Sequence, residues 1–156
     1  LIDIEVEDKA WTEALPEAEA LARRAAQAVL DCEGAVDEGV TLLLTDDTVV
    51  HDLNLRFRDR PSPTNVLSFP APPNRERHLG DVALAYGVCA REAAEQGKSL
   101  GDHLQHLVAH GVLHLLGYDH MTDEEAEAME GLERVVLAGL GIADPYQAGE
   151  GDHERP

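Results

Sequence analysis

The chain has 156 residues, enough for one domain with a sizeable core and too few for a second, cofactor-sized one. Lys plus Arg number 12 against 31 Asp plus Glu, a formal net charge of -19 that favours solubility and opposes general affinity for nucleic acid. No apolar run approaches the roughly 20 residues of a membrane span, and the first residues lack the basic-then-apolar pattern of a secretory signal, so a cytoplasmic protein is expected.

The charge is unevenly spread. Acids crowd the N-terminal segment and the stretch from Asp123 to Glu133, whereas Arg56, Arg58, Arg60, Arg75 and Arg77 stand against only Asp59 and Glu76 between Asn54 and His78. A local basic patch is therefore compatible with the global sign. Cys32 and Cys89 lack CxxC spacing, which predicts two buried free thiols in a reducing compartment rather than a disulfide framework or a cysteine-bound metal.

Ile2, Ile4 and Val6 alternate with acids, the period of a half-buried strand. Residues 11–30 are rich in Ala, Leu and Glu, with Pro16 near the start, and predict one helix. The run 40–44 predicts a second strand, and the oxygens of Thr45, Asp46 and Asp47 can cap a helix continuing through Phe57. Pro61 and Pro63 bracket an irregular connection. Residues 65–69 then predict a strand stopped by Pro70, and a polar connection follows to a strand over 82–86 opened by Gly80 and Asp81. A helix over 88–96 ends at Gly97. Ser99 can cap the helix carrying His103 to Leu116, and Thr122 with Glu125 forms a capping box for an acidic helix after it. The expected architecture is one α+β domain over 1–147, a mixed sheet of about four strands with four to five helices, followed by a polar, disordered tail over 148–156.

The chemistry concentrates in His110, His114 and His120. Residues four apart on a helix stack about 5–6 Å apart at Cβ, so His110 and His114 can turn a ring nitrogen to one metal. Gly117 can take the left-handed conformation that ends the helix, after which His120 can return as the third nitrogen of an open tetrahedral zinc site with a fourth position for water. His106 competes for that third place, since it lies four residues before His110. His106 and His114, however, are separated by about 12 Å of helix rise, so His120 is favoured and His106 is expected beside the ligands or lining the cleft. Asp119 can orient a histidine ring, and Asn65 and Ser68 are candidate polar groups of the same cleft. Tyr118 is read as packing.

The run His110-Gly111-Val112-Leu113-His114-Leu115-Leu116-Gly117-Tyr118-Asp119-His120 resembles the signature of the YbeY-type endoribonucleases, the bacterial ribosomal RNA maturation factors. Leu53-Asn54 with Phe57-Arg58, the segment Pro63-Thr64-Asn65-Val66-Leu67-Ser68-Phe69-Pro70, Leu79-Gly80-Asp81-Val82 and Asp144-Pro145-Tyr146 agree in order and spacing, so the resemblance runs from about residue 2 to residue 146. It implies an α+β endoribonuclease domain with one zinc per chain on His110, His114 and His120 at the end of a central helix. It also implies hydrolysis of single-stranded RNA in ribosomal RNA processing, at the 3′ end of 16S rRNA, with activity resting on Arg58 and the ligand His114 and with Arg60 as a further substrate contact. The partners it implies are an rRNA precursor and ribosomal subunit or assembly proteins, with neither DNA nor membrane. One departure lies at Asp59-Arg60-Pro61-Ser62, where the family commonly carries a Gly-Lys-Asp-Lys-like stretch. Pro61 lacks the acid and Ser62 the base, while Arg60 keeps one cation.

Two other readings compete. Metzincin proteases share the ligand spacing but place Glu, the general base, after the first histidine, and here that residue is Gly111. A ribosome-assembly protein with a purely structural zinc would need a closed, four-ligand site.

Overall fold

The computed structural model describes residues 1–58 and 64–146, except for the side chains at 57 and 58. The elements run β1 (Ile2–Val6), α1 (Ala10–Ala14), α2 (Ala18–Cys32), β2 (Gly39–Thr45), α3 (Asp47–Arg58), β3 (Val66–Pro70), β4 (His78–Ala85), α4 (Tyr86–Gln96), α5 (Leu100–Leu115) and α6 (Asp123–Gly139). The four strands form one sheet in the order β1-β2-β4-β3. Strands β1, β2 and β4 are parallel, and β3 closes the edge antiparallel to β4. A mixed sheet with helices on its faces is the α+β domain expected, with six helices rather than four to five among the described residues.

Strand pleating divides the apolar residues between two faces. Ile2, Val40, Leu42, Leu44, Val82 and Leu84 face α2 and α5, whose Val29, Leu30, Leu104, Val108 and Val112 complete the main core. On the opposite face a smaller cluster of Leu67, Ala83, Ala85 and Val88 is covered by Val50 of α3. Helix α5 lies over the sheet with α2 on one flank and α6 on another, which makes it the central helix.

Three boundaries differ from the sequence reading, each for a local reason. The single helix expected over 11–30 is broken into α1 and α2, because Leu15 precedes Pro16 and takes φ −141°, ψ 86° instead of helical angles. Trp11 anchors the short piece, fully buried, its indole Nε1 donating to the Thr45 carbonyl at 3.0 Å. Pro70 ends β3 as its last residue rather than just beyond it; it pairs with Gly80 at the sheet edge, where a residue without an N–H is tolerated. Strand β4 starts at His78 and ends before Tyr86, which opens α4.

The caps agree with the sequence. Ser99 Oγ accepts from the Asp102 N–H at 3.0 Å at the start of α5, and Thr122 and Glu125 form the reciprocal box at the start of α6. Both cysteines are free, Cys89 buried and Cys32 exposed at the end of α2, so only one thiol is sequestered. Burial, with Glu92 and Asp47 nearby, pushes the Cys89 thiol well above its ordinary value and leaves it unreactive. No helix among the described residues is long and apolar enough to cross a membrane. The expected tail over 148–156 lies outside the described residues.

Candidate metal centre

The last two turns of α5 carry His110 and His114, and the chain reverses immediately beyond them. Gly117 has φ 104°, a backbone region open to glycine at no steric cost. Its N–H bonds the His114 carbonyl at 3.0 Å and the Tyr118 N–H bonds the Leu113 carbonyl at 3.1 Å, the paired bonds of a Schellman ending. The Tyr118 hydroxyl donates to Glu33, the residue that caps the C-terminal end of α2, at 2.7 Å and pins the returning segment of chain. His120 thereby comes back over the helix end. The three ring centroids are 4.6 Å (His110 to His114), 5.1 Å (His114 to His120) and 5.6 Å (His110 to His120) apart.

The hydrogen bonds on the outer edges of the rings define what the inner edges offer. His114 Nδ1 lies 2.9 Å from the Tyr118 carbonyl, an acceptor only, so Nδ1 carries the proton. His110 Nδ1 lies 2.7 Å from Glu133 Oε2, a carboxylate held below its ordinary pKa range. Burial alone would raise that pKa, but hydrogen bonds from His106 and His110 outweigh it. The two Nε2 atoms are left bare and face each other at 3.2 Å. Ligands 2.0–2.1 Å from one tetrahedral ion stand about 3.3 Å apart. Two lone pairs at that separation with no proton between them fit a shared cation. His120 adds a third nitrogen, and the three ligand atoms lie within 4.8 Å of one another, the only such group of three or more among the described residues. Burial, then the nearby His110 and His120, lowers the His114 pKa to about 4, so the imidazole is neutral and available as a ligand near pH 7.

His106 is not part of the triad. Its Nε2 meets Glu133 Oε1 at 2.9 Å and the Tyr146 hydroxyl at 3.2 Å, one helical turn away from the converging nitrogens. The Asp119 carboxylate accepts from the His120 backbone N–H at 2.8 Å, so it shapes the turn, and the ring-orienting acceptors are Glu133 and the Tyr118 carbonyl instead. Ser68 is 8% exposed and donates to the Gly111 carbonyl at 3.0 Å, tying β3 to α5 beneath the site rather than lining a cleft. Asn65 gives its amide to Glu92 at 2.9 Å, and Glu92 also meets His103 Nε2 at 2.9 Å. Of the basic stretch, Arg56 and Arg75 are exposed, while Arg77 is held by Glu38 at 2.9 Å. Arg58 ends α3, and its side chain and Arg60 lie outside the described residues.

Glu133 and Tyr146 are the site residues that the sequence reading did not single out. Glu133 is fully buried and receives His106, His110 and the Tyr146 hydroxyl. A signal for it exists: Ala126, Met129, Glu133, Val136 and Leu137 follow the helical period of an apolar stripe, and a carboxylate on such a stripe needs partners. A cavity of about 260 Å³ opens beside His110 and His120, walled by Met121, Met129, Glu130 and Tyr146.

A family model described as Endoribonuclease YbeY matches residues 3–141. A relative from Paramagnetospirillum magneticum named Endoribonuclease YbeY is 52% identical, the match covering 93% of this chain and 94% of that protein. Another of the same name, from Maricaulis maris, is 44% identical with 97% of each chain covered. The solution structure of TM1509 from Thermotoga maritima shares the fold, with a TM-score of 0.55 and 23% identity over 90% of this chain and 92% of that one. The chain belongs to the endoribonuclease YbeY family, and it is a hydrolytic nuclease.

Proposed function

We propose that this protein is a zinc-dependent endoribonuclease that cuts single-stranded ribosomal RNA precursor in the cytoplasm, at the 3′ end of 16S rRNA. The observation that carries the metal part is the pair of bare Nε2 atoms 3.2 Å apart, each ring held from behind by an acceptor, with His120 beside them. His110, His114 and His120 hold the ion, one per chain. When bound, zinc supplies a Lewis acid for a phosphoryl oxygen and lowers the pKa of water to about 7. Three protein donors leave a position open, which favours catalysis over a structural site. Arg58 holds a phosphate next to the scissile one through paired N–H bonds, and Arg60 adds a second cation. Nickel competes at an imidazole site and is distinguished by elemental analysis. Assembly proteins or the ribosomal subunit present the RNA.

The position that carries the metzincin base is a glycine here. A Cβ at Gly111 would stand 2.6 Å from Val82 Cγ1, so this position faces the sheet and has no room for the glutamate a metzincin needs. The test is elemental analysis together with cleavage of a single-stranded RNA by wild type and His114→Ala. Wild type should carry one zinc and cut, and His114→Ala should lose more than 100-fold in cleavage along with its metal. Cleavage by His114→Ala at the wild-type rate would overturn the reading.

A further inference from the structure

We propose that Glu133 is the positioning residue of the metal centre: its buried carboxylate fixes the His110 imidazole with the proton on Nδ1 and brings a buried negative charge against a ligand ring, where it helps the three imidazoles retain a dication. This rests on the metal-centre reading above and adds to it a residue on a different helix. Glu133 is fully buried although it carries a charge, an expensive placement when an apolar residue of similar volume would pack into the same stripe of α6. Its two oxygens are divided. Oε2 accepts from His110 Nδ1 at 2.7 Å, while Oε1 takes His106 Nε2 at 2.9 Å and the Tyr146 hydroxyl.

The division has a chemical consequence. An ionised carboxylate can only accept, so the proton of neutral His110 must sit on Nδ1 and the lone pair must sit on Nε2, facing His114. His114 reaches the same tautomer through the neutral Tyr118 carbonyl, so Glu133 is the arm of the site that brings charge as well as direction. His106, the helix neighbour closest to competing as a ligand, has its Nε2 committed to the same carboxylate. The Asp144-Pro145-Tyr146 segment closes this arrangement from outside. Asp144 accepts from the Tyr146 N–H at 2.8 Å and meets Arg134 at 3.1 Å, and the Arg134 guanidinium lies 5.5 Å from the centre of the Tyr146 ring.

The experiment measures zinc affinity by chelator competition on the full chain, with cobalt(II) absorption as a second probe. Glu133→Gln preserves shape and removes the charge, and its amide can present an N–H to His110 and reverse the tautomer. Its zinc Kd should rise about 10- to 100-fold, and its cobalt band should move. Tyr146→Phe keeps the carboxylate and should change the Kd less than threefold. Nitrogen-15 spectra of the metal-free wild type report the His110 tautomer without any variant, so a Glu133→Gln chain that fails to fold leaves the test intact. His110 protonated on Nε2, or a folded Glu133→Gln with unchanged zinc Kd and cobalt spectrum, would overturn the proposal. Wild type that binds zinc with the expected tautomer yet cuts no RNA would instead refute the nuclease reading alone.

Discussion

Helix α5 carries two histidine regions that each contain a carboxylate partner, and they differ in what the imidazoles leave over. Near the helix start, His103 is 3% exposed, its Nε2 meets Glu92, and Glu92 also receives the Asn65 amide. Among the described residues no second imidazole converges on that pair; His106 is 6.3 Å away between ring centroids and engaged with Glu133. Near the helix end, His110 and His114 meet acceptors through Nδ1 and turn bare Nε2 atoms toward each other and toward His120. A buried imidazole against a carboxylate is thus a tie between helices. A metal site arises where acceptors stand behind several rings and nothing but lone pairs stands between them.

The sharpest way to break this comparison is to remove imidazoles from each region. Replacing His110 and His114 together by Ala should take zinc from one equivalent per chain to none, read by elemental analysis. His103→Ala should keep its zinc and instead lose about 1–3 kcal/mol of stability in urea unfolding, because Glu92 loses its buried donor. Full zinc in the double variant, or zinc loss in His103→Ala, would erase the distinction.

The boundary between the regions runs through His106. Its Nε2 is bonded to Glu133, whereas His120 belongs to the converging group. His120→Ala should therefore weaken zinc retention in a chelator competition more than His106→Ala does. The reverse order would make His106 a ligand.

Much of the second region is legible in the sequence, and the reason is its locality. His110 and His114 are one turn apart on a helix whose cap, Ser99, and terminator, Gly117, are both readable, and His120 follows three residues after that glycine. The four strands also follow from local period and breaker residues. What escapes is nonlocal. Glu133 reads as one more acid on an acidic helix until its place on the apolar stripe is counted, and its partners lie 23 and 27 residues earlier. Ser68 looks like a cleft hydroxyl, but strand register sends it toward Gly111, where the absent Cβ lets α5 approach the sheet. Pro16 was compatible with the first turn of one helix, and only the geometry of Leu15 shows that it separates two.

The Arg58 expectation tests a contribution from outside both histidine regions. In a chain of net charge -19, attraction for RNA must come from a few local cations. Arg58→Glu should lower RNA cleavage roughly 10- to 100-fold, the loss of a charge-assisted contact, while zinc content and unfolding stay as in wild type. Wild-type cleavage should also fall as salt rises. Cleavage by Arg58→Glu at the wild-type rate would shift the phosphate contact to Arg56, Arg60 or Arg75.

The smallest expected effect concerns protons as competitors in the metal-free protein. His114 has an ordinary value of 6.5 and a folded value of about 4, lowered first by burial and then by His110 and His120. Because the folded value is depressed, the unfolded chain binds more protons between those limits. The contribution of His114 to stability is therefore fully present above pH 6.5, declines below it, and is lost as pH falls through about 4. Glu133, also depressed from its ordinary 4.5, acts in the same direction at still lower pH. The urea midpoint of metal-free protein should fall between pH 6.5 and 4, and metal-free His114→Ala should fall less over the same window. Zinc should hold the midpoint level further into acid, since protons must then displace the ion before they can reach the ring. A metal-free midpoint that is flat across the window, or that falls equally in His114→Ala, would mean that the His114 ring is not held neutral by its surroundings.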